Sequence, residues 1–227
     1  MLFLVLGRGK TGSLVAQVAS ERGHSVRVVG EEENRNAAAL TAPVLAGFDA
    51  IIDFTTPEAA VQNMRACLAN GARVVVGTTG WYQHLPAMKD LCLRKDAALL
   101  YSTNFSVGVQ ALFRLARDLA AAVPDYRFSI TETHHATKVD APSGTALSLK
   151  KIVEGAVPGA VVEIASKREG EVPGIHLLEA RSENDCLELR HEAFSRRGFA
   201  EGAVRAAEWI AGKTGCWDFQ EVFQILT

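Results

Sequence analysis

Two adjacent histidines, a lysine and two hydroxyl side chains lie close together in one short segment, residues 130–146. These side chains belong to His134, His135, Lys138, Ser143 and Thr145. A histidine titrates near neutral pH and can transfer a proton, and a lysine ammonium attracts anions. Hydroxyl groups add donors for carboxylate oxygens. The segment therefore predicts a site that binds a small carboxylated molecule and protonates it.

The elements on either side of these residues support the same prediction. Residues 126–133 alternate apolar and polar side chains, which predicts a strand, and a helix is expected to follow, with Asp140 or Ser143 as its cap. Amide groups at a helix N-terminus attract anions, and Gly144 lets a ligand approach the backbone closely. Solvated histidines beside an ordinary helix cap are the alternative, but a cap requires neither two histidines nor a lysine.

A metal site is not expected in this segment. His134 and His135 are neighbours in an extended chain and so point in different directions, and no acidic or cysteine partner completes a set of ligands. The four cysteines are widely scattered without a C-x-x-C pair, which predicts neither a zinc ribbon nor a disulfide framework. A reducing compartment, the cytoplasm, is therefore expected.

A second chemical feature opens the chain, where the apolar residues 2–6 predict a buried strand that runs into a glycine-rich turn and then a helix. The turn consists of Gly7, Arg8, Gly9, Lys10, Thr11 and Gly12. In a G-x-G-x-x-G turn between a strand and a helix, the glycines permit a tight turn, close approach to a pyrophosphate and close packing of helix on strand. This arrangement predicts that the chain binds a dinucleotide.

The choice between NADH and NADPH depends on charges near the end of the next predicted strand, residues 25–29. Glu31 follows this strand, about twenty positions beyond the glycine turn, where an acid hydrogen-bonds the adenine ribose diol. Such an acid favours NADH and repels a 2′-phosphate, yet Lys10 and Arg35 could neutralise that phosphate. NADH is therefore the expected cofactor, with NADPH as the open alternative.

Length and composition exclude several classes of protein. The 227 residues suffice for one large or two modest domains, and 48% hydrophobic with 22% charged residues is ordinary globular composition. A net charge of −2 gives no general attraction for nucleic acid or for an anionic membrane. The apolar opening ends after about six residues, too few for a signal sequence or a membrane span. The expected partner is therefore a small molecule.

The order of predicted elements indicates an α/β fold with two parts. Strands and helices alternate through the first hundred residues, which predicts a Rossmann-type doubly wound parallel sheet. Beyond residue 126 the pattern becomes mainly strand-like, over residues 160–165, 175–181 and 186–192. A second α+β domain with a mixed sheet is the economical interpretation.

The sequence HHATKVDAPSGTA, residues 134–146, resembles the signature of the dihydrodipicolinate reductase (4-hydroxy-tetrahydrodipicolinate reductase) family of bacterial lysine biosynthesis. Residues 77–81, 102–109 and 187–203 continue the resemblance. The chain departs from the family pattern at Ala136 and Thr137, where relatives often carry basic residues, and in its Gly-Lys-Thr-Gly turn, where Gly-Arg-Met-Gly is usual. These departures bear on cofactor preference and affinity more than on the reaction.

The resemblance implies a reductase that converts the cyclic imine dicarboxylate derived from 4-hydroxy-tetrahydrodipicolinate to tetrahydrodipicolinate with NAD(P)H, as a homotetramer. His134 is then the proton donor, assisted by Lys138. Further cofactor-binding residues expected from the family are Phe54, Gly77, Thr78, Thr79, Ser102, Asn104, Phe105 and Arg196. The expected substrate-binding residues are Thr79, His135, Lys138, Ser143, Gly144 and Thr145. Residues 1–104 and 197–227 are expected to form the dinucleotide-binding domain, and residues 105–196 the substrate-binding and oligomerisation domain.

Two rival functions share part of this pattern. An aspartate or diaminopimelate dehydrogenase would have the glycine turn but not the run from His134 to Thr145. A regulatory protein that senses NAD(H) without chemistry would need neither His134 nor Lys138, because it transfers no proton.

Overall fold

The chain forms two compact units, and a computed structural model describes residues 1–136, 138 and 140–226, with side chains described as far as Phe223. One unit joins Met1–Ser106 to Arg197–Thr227, and the other is the continuous segment Val107–Arg196. Thr137, which marks a departure from the family pattern, lies outside the described residues.

Ten strands and eight α-helices are present in the described ranges. The strands are β1 (Leu2–Leu6), β2 (Ser25–Val29), β3 (Ala50–Asp53), β4 (Arg73–Val76), β5 (Ala98–Tyr101), β6 (Arg127–His134), β7 (Glu163–Arg168), β8 (Gly174–Arg181), β9 (Cys186–Ala193) and β10 (Gly215–Asp218). The helices are α1 (Lys10–Glu21), α2 (Ala42–Leu45), α3 (Pro57–Ala69), α4 (Leu85–Arg94), α5 (Val107–Ala122), α6 (Gly144–Ala156), α7 (Arg197–Ile210) and α8 (Phe219–Leu226). Short 3₁₀ turns occur at Arg35–Ala37 and Tyr82–His84. None of the described helices is both long and apolar enough to cross a membrane.

The first unit is built on a six-stranded sheet in the order β10-β5-β4-β3-β1-β2, with every neighbouring pair parallel. Its central strands are continuous apolar runs, such as Ile51 and Ile52 in β3, because helices cover both faces of a parallel sheet. Helix α7 packs against α1, β3 and β4, and α3 packs against α4. The predicted doubly wound parallel sheet is thus confirmed.

The edge strand β10 is absent from the strands predicted above. It has four residues, begins with Gly215, and pairs in parallel with β5, so that Cys216 lies opposite Leu99. A run this short, with a glycine and no apolar alternation, carries little strand signal. It forms because the exposed edge of β5 offers hydrogen-bonding groups that a returning chain can satisfy.

The second unit contains a four-stranded mixed sheet in the order β7-β6-β8-β9, as the sequence predicted in outline. β6 and β7 are parallel, whereas β8 is antiparallel to both β6 and β9. Helices α5 and α6 bury one face of the sheet through Phe113, Leu149, Ile130 and Leu178. The predicted strand 160–165 is misplaced, since β7 begins at residue 163 and its Ser-Lys-Arg end has the polar character of an exposed edge.

Candidate active site

The site residues predicted from the sequence fall into two sets, one in each unit. The first unit contains Gly7, Arg8, Gly9, Lys10, Thr11, Gly12, Glu31, Phe54, Gly77, Thr78, Thr79, Ser102, Asn104 and Phe105. The second unit contains His134, His135, Lys138, Ser143, Gly144, Thr145 and Arg196. Two assignments therefore cross the expected division of labour: Thr79, in the first unit, was expected at the substrate as well as at the cofactor, and Arg196, in the second unit, was expected at the cofactor.

The glycine turn packs tightly between β1 and α1. Gly7 has φ of +102°, and a Cβ added there would collide with the carbonyl oxygen of Phe54. A Cβ on Gly12 would collide in turn with the carbonyl oxygen of Gly7. Gly9 differs, because a Cβ there would meet nothing within 4 Å. The turn is thus closed at two glycines and open at the third.

The open glycine lies at the start of α1. Gly9 is the N-cap of this helix, and its carbonyl oxygen accepts the first intrahelical hydrogen bond, from the amide of Ser13 at 3.0 Å. The amides of Lys10, Thr11 and Gly12 precede that bond, so they form the positive end of the helix dipole. Open space beside Gly9 and a helix N-terminus together suit a pyrophosphate.

An ion pair that was not predicted from the sequence lies beside the glycine turn. Arg8 donates to Glu33 at 2.6 Å, and the two side chains are 57% and 49% exposed. The guanidinium lies over the end of β2, where a Cβ on Gly30 would approach Arg8 to 3.1 Å. Glu31 and Lys10 are exposed nearby in sequence. Arg8 is therefore a basic group next to the acidic turn, in addition to Lys10 and Arg35.

The carboxyl ends of β3 and β4 are joined by a buried carboxylate. Asp53 is fully buried and accepts hydrogen bonds from the Thr55 hydroxyl at 2.7 Å, the Thr78 hydroxyl at 2.8 Å and the Asn63 amide at 2.7 Å. Burial raises the pKa of Asp53, and these hydrogen bonds oppose the rise. Asn63 also accepts from Asn34 at 2.8 Å, so the network reaches the turn after β2. The Thr78 hydroxyl therefore connects the carboxyl ends of β3 and β4.

Aromatic and hydroxyl residues lie near these strand ends. A Cβ on Gly77 would collide with the Phe54 ring, and that ring meets Phe105 edge-on with centroids 6.4 Å apart. Ser102 donates to the carbonyl oxygen of Asn104 at 2.8 Å, which fixes the turn after β5. Thr79 is exposed in the turn after β4.

In the second unit, His134 is the last residue of β6, one residue beyond the end of the predicted strand. The period of two in a strand places Glu132 on the same face as His134, and His176 lies opposite Glu132 on β8. The two imidazole rings meet edge-on with centroids 5.1 Å apart. All three side chains are buried, so they form one enclosed cluster.

Glu132 stands at the centre of this cluster. Its Oε2 is 3.6 Å from Nδ1 of His134 and 3.8 Å from Nε2 of His176. Its carboxylate accepts hydrogen bonds from the Ser143 amide at 3.1 Å and the Ser166 hydroxyl at 2.8 Å. Burial acts to raise the pKa of Glu132, but the hydrogen bonds from Ser143 and Ser166 lower it overall. The carboxylate is therefore ionised at neutral pH.

Both buried histidines favour their neutral form in the free protein. Burial lowers the pKa of His134, Lys138 and Arg168 lower it further, and Glu132 opposes the change. Burial also lowers the pKa of His176 to about 4. The Nδ1 atoms of His134 and His176 are enclosed and find no hydrogen-bond partner among the described residues.

The segment after β6 is held by charged groups. Lys138 pairs with Asp140 at 2.7 Å, and Arg168 donates to the carbonyl oxygens of Asp140 at 2.6 Å and Lys138 at 3.3 Å. The Lys138 side chain is 22% exposed, so it lies at the rim of the enclosed cluster. Asp140 pairs with Lys138 and does not cap α6.

The start of α6 lies against the same cluster. Ser143 is the N-cap, because its hydroxyl accepts from the Ala146 amide at 3.2 Å, while its own amide donates to Glu132. Gly144 and Thr145 are the first residues of the helix, and their amides point outward from its N-terminus. The structure therefore brings the predicted anion-binding turn and His134 together around one carboxylate.

His135 and Arg196 also lie together. Arg196 Nη2 is 3.4 Å from Nε2 of His135, within the second unit. The pair gives this unit a further cationic group close to the predicted substrate residues.

Family models match nearly the whole chain. The model described as "Dihydrodipicolinate reductase, N-terminus" matches residues 1–105, and that described as "Dihydrodipicolinate reductase, C-terminus" matches residues 108–223. The chain belongs to the dihydrodipicolinate reductase family. Members of this family are pyridine nucleotide-dependent reductases, so the chain is an oxidoreductase of lysine and diaminopimelate biosynthesis.

Individual relatives agree along their full length. A 4-hydroxy-tetrahydrodipicolinate reductase from Christiangramia forsetii is 34% identical and covers 100% of this chain and 99% of its own. The same enzyme from Natronomonas pharaonis is 37% identical, over 94% of this chain and 96% of its own. A dipicolinate-bound dihydrodipicolinate reductase from Paenisporosarcina sp. TG-14 shares the fold with a TM-score of 0.79 at 22% identity, over 98% and 99% of the two chains.

The expected lack of an acidic partner beside His134 is wrong for this member of the dihydrodipicolinate reductase family. An acidic partner does lie beside His134, since ligand atoms of Glu132, His134 and His176 are within 4.8 Å of one another. The carboxylate, however, already accepts hydrogen bonds and lies 3.6 Å from the Arg168 guanidinium, whose charge opposes a bound cation. The Arg168 charge therefore weighs against a metal ion at this cluster.

Proposed function

We propose that this chain reduces the cyclic imine dicarboxylate derived from 4-hydroxy-tetrahydrodipicolinate to tetrahydrodipicolinate, with His134 as the proton donor. The observation that carries this proposal is the grouping of a buried imidazole, a carboxylate and a helix N-terminus around Glu132. Such a grouping can bind an anion and supply a proton at the same place, which is what this reduction requires.

The glycine turn is proposed to hold the dinucleotide. The amides at the start of α1 suit the pyrophosphate, and Glu31 is the proposed partner of the adenine ribose diol. Phe54, Gly77, Thr79 and Asn104 are proposed to contact its nicotinamide side. When bound, the nicotinamide nucleotide supplies the hydride. The open space beside Gly9 supports this fit, because a pyrophosphate requires close approach to the backbone there.

The second unit is proposed to hold the substrate. Lys138, His135 and the amides of Gly144 and Thr145 offer positive charge and donors for its two carboxylates. Negative charge that develops on the substrate during reduction is stabilised by the Lys138 ammonium and by the protonated His134 ring. A bound dianion also favours the imidazolium form of His134, which burial disfavours in the free protein.

A direct assay tests this function against the rival dehydrogenase. We expect consumption of NADH with freshly made dihydrodipicolinate synthase product, and no reduction of NAD in the presence of aspartate or diaminopimelate. Both reactions are followed by nicotinamide absorbance. Turnover of the amino acids without turnover of the synthase product would overturn the proposal.

Cofactor preference is proposed to depend on the ion pair between Arg8 and Glu33. While Glu33 holds Arg8, a 2′-phosphate meets the acidic turn after β2, so we expect NADH to bind more tightly than NADPH. The variant Glu33→Gln frees the guanidinium, and NADPH affinity should then rise about fivefold, the scale of one exposed ion pair. Fluorescence titration with each reduced cofactor measures both effects.

The variant Glu32→Gln is the matched control for this prediction. It removes the same charge one residue away and leaves the pair between Arg8 and Glu33 in place. An equal gain in NADPH affinity in both variants would show that net charge, and not the release of Arg8, sets the preference. Equal affinities of the wild-type protein for the two cofactors would point instead to compensation by Lys10 or Arg35.

A cytoplasmic homotetramer is proposed as the working form. The family resemblance supports the tetramer, and Leu187 on the edge strand β9 and Phe194 just after this strand are exposed at 42% and 88%. The cytoplasm is supported by the four cysteines, all of which are free thiols. Light scattering coupled to size-exclusion chromatography measures the oligomeric state.

A further inference from the structure

The proposed roles assign no step of the reaction to Glu132 itself, although it is the most enclosed charge in the cluster. Its side chain is fully buried, and it lies on the same face of β6 as His134, because the two residues are two positions apart in the strand. Burying a carboxylate is costly unless donors compensate it, so its retention here calls for a reason beyond packing. Its neighbours indicate what that reason is.

Both oxygens of the carboxylate accept from the Ser143 amide, at 3.1 and 3.2 Å, but their other neighbours differ. Ser143, Ser166 and Arg168 surround Oε1, at 3.1, 2.8 and 3.6 Å. Oε2 lies 3.8 Å from Nε2 of His176. Oε2 also faces Nδ1 of His134 at 3.6 Å, just beyond hydrogen-bond length. That Nδ1 is enclosed, so it cannot reach a substrate, and it finds no other partner among the described residues.

We propose that Glu132 is a positioning residue that accepts the Nδ1–H of His134 and thereby leaves Nε2 as the atom that carries the proton to the substrate. This inference rests on the proposed role of His134 as proton donor. In the reaction the proton leaves Nε2 for the substrate, and the ring returns to its neutral form with its remaining proton on Nδ1. A ring nitrogen's role is commonly fixed by the hydrogen bond that the other nitrogen makes.

The same carboxylate also fixes where the proton donor stands relative to the anion-binding turn. Ser143 donates its amide to both oxygens of Glu132, at 3.1 and 3.2 Å, and then begins α6. A shift of His134 therefore requires a shift of Glu132, and with it the start of the helix that is proposed to hold the substrate. Glu132 thus links the position of the proton donor His134 to that of the N-terminus of α6.

Other charges around His134 act on its titration as well and must be kept constant in a test. From its own strand, the following segment, β7 and β8, the groups facing it are Glu132, Lys138, Asp140, Arg168 and His176. Only Glu132 and Asp140 among these favour the imidazolium, and Asp140 is paired with Lys138. Removal of the Glu132 charge is therefore the most direct perturbation.

The variant Glu132→Gln removes this charge and keeps a carbonyl oxygen that can accept from Ser143. We expect kcat to fall roughly tenfold to hundredfold, the usual effect of losing an orienting carboxylate. Because the imidazolium loses its counter-charge, the alkaline limb of the kcat profile should also move to lower pH. NADH affinity should be unchanged. An alkaline limb at the wild-type pH would overturn the proposal, whatever the value of kcat, since a packing defect alone would produce that result.

Two further variants separate charge from packing. Glu132→Asp restores the charge, so its alkaline limb should lie closer to the wild-type pH than that of Glu132→Gln. A limb identical to that of Glu132→Gln would count against the proposal. Ser166→Ala is the matched control, because it removes one donor to the carboxylate and leaves the contact with His134 in place. It should retain the wild-type limb.

The ring nitrogen of His134 that carries the proton can be measured in the wild-type protein, so this test does not depend on how the Glu132 variants fold. ¹⁵N spectra of histidine-labelled protein, with His134 assigned through its loss in His134→Gln, report which ring nitrogen carries the proton. The neutral ring should carry it on Nδ1, and a proton on Nε2 would overturn the proposal. If the proton lies on Nδ1 while His134→Gln retains full turnover, the pairing stands and the proposed role of His134 fails.

Discussion

Replacing His134 by Gln is expected to lower turnover about a hundredfold or more, the scale of a lost general acid. Glutamine has nearly the volume of histidine and keeps polar atoms, but it cannot donate a proton in this pH range. NADH binding should survive, because the glycine turn belongs to the other unit. Steady-state kcat and a fluorescence titration with NADH measure the two properties separately.

The variant His135→Gln is the matched comparison for this prediction. His135 is proposed to bind substrate and not to protonate it, so the variant should raise KM more than it lowers kcat. Full turnover in His134→Gln would contradict the proposed proton donor. An equal loss of turnover in both variants would show that the two histidines act as one binding group.

Two glycines of the same turn should respond differently to alanine. Gly9→Ala should keep its stability, because a Cβ there meets open space and its φ of −71° suits any residue. It should nevertheless weaken NADH binding at least about tenfold, or ~1.4 kcal/mol, since the methyl group occupies the approach to the pyrophosphate. Isothermal titration with NADH and a thermal unfolding curve measure both quantities.

Gly12→Ala should instead destabilise the first unit. Its methyl group would collide with the carbonyl oxygen of Gly7, so α1 must move away from β1. We expect Tm to fall by roughly 5 °C, as for overpacking that costs about 1–3 kcal/mol. Gly155→Ala adds a methyl group to open space in α6, so it should leave NADH affinity unchanged and should not lower Tm, because alanine is the better helix former. Wild-type NADH affinity in Gly9→Ala would contradict the proposed pyrophosphate site.

Features encoded by neighbouring residues were predictable from the sequence. The strand, glycine turn and helix at the start of the chain follow from an apolar run, three glycines and a helical period, which all act locally. The helix after Ser143 follows from its cap in the same way. The mixed sheet was predictable in outline because its strands alternate or carry apolar runs, although β7 was misplaced at its polar edge.

Features that depend on strand register were not predictable. Glu132 lies two residues before His134 in the sequence. Its place at the centre of the cluster depends on the strand register, because β8 places His176 opposite it and β7 places Arg168 beside it. The pairing register of these strands cannot be read from a single sequence. The period of two in a strand was the one available signal, since it places Glu132 and His134 on the same face. Asp53 was missed for a similar reason, because its donors come from three separate segments.

The first unit is discontinuous in sequence, and this has a consequence during synthesis on the ribosome. Helix α7, which packs on β3 and β4, and β10, which completes the sheet edge, are both translated after the segment Val107–Arg196. The continuous segment Val107–Arg196 leaves the exit tunnel earlier and can finish folding while the parallel sheet is still incomplete. The first unit can therefore complete its fold only after the second unit has been translated.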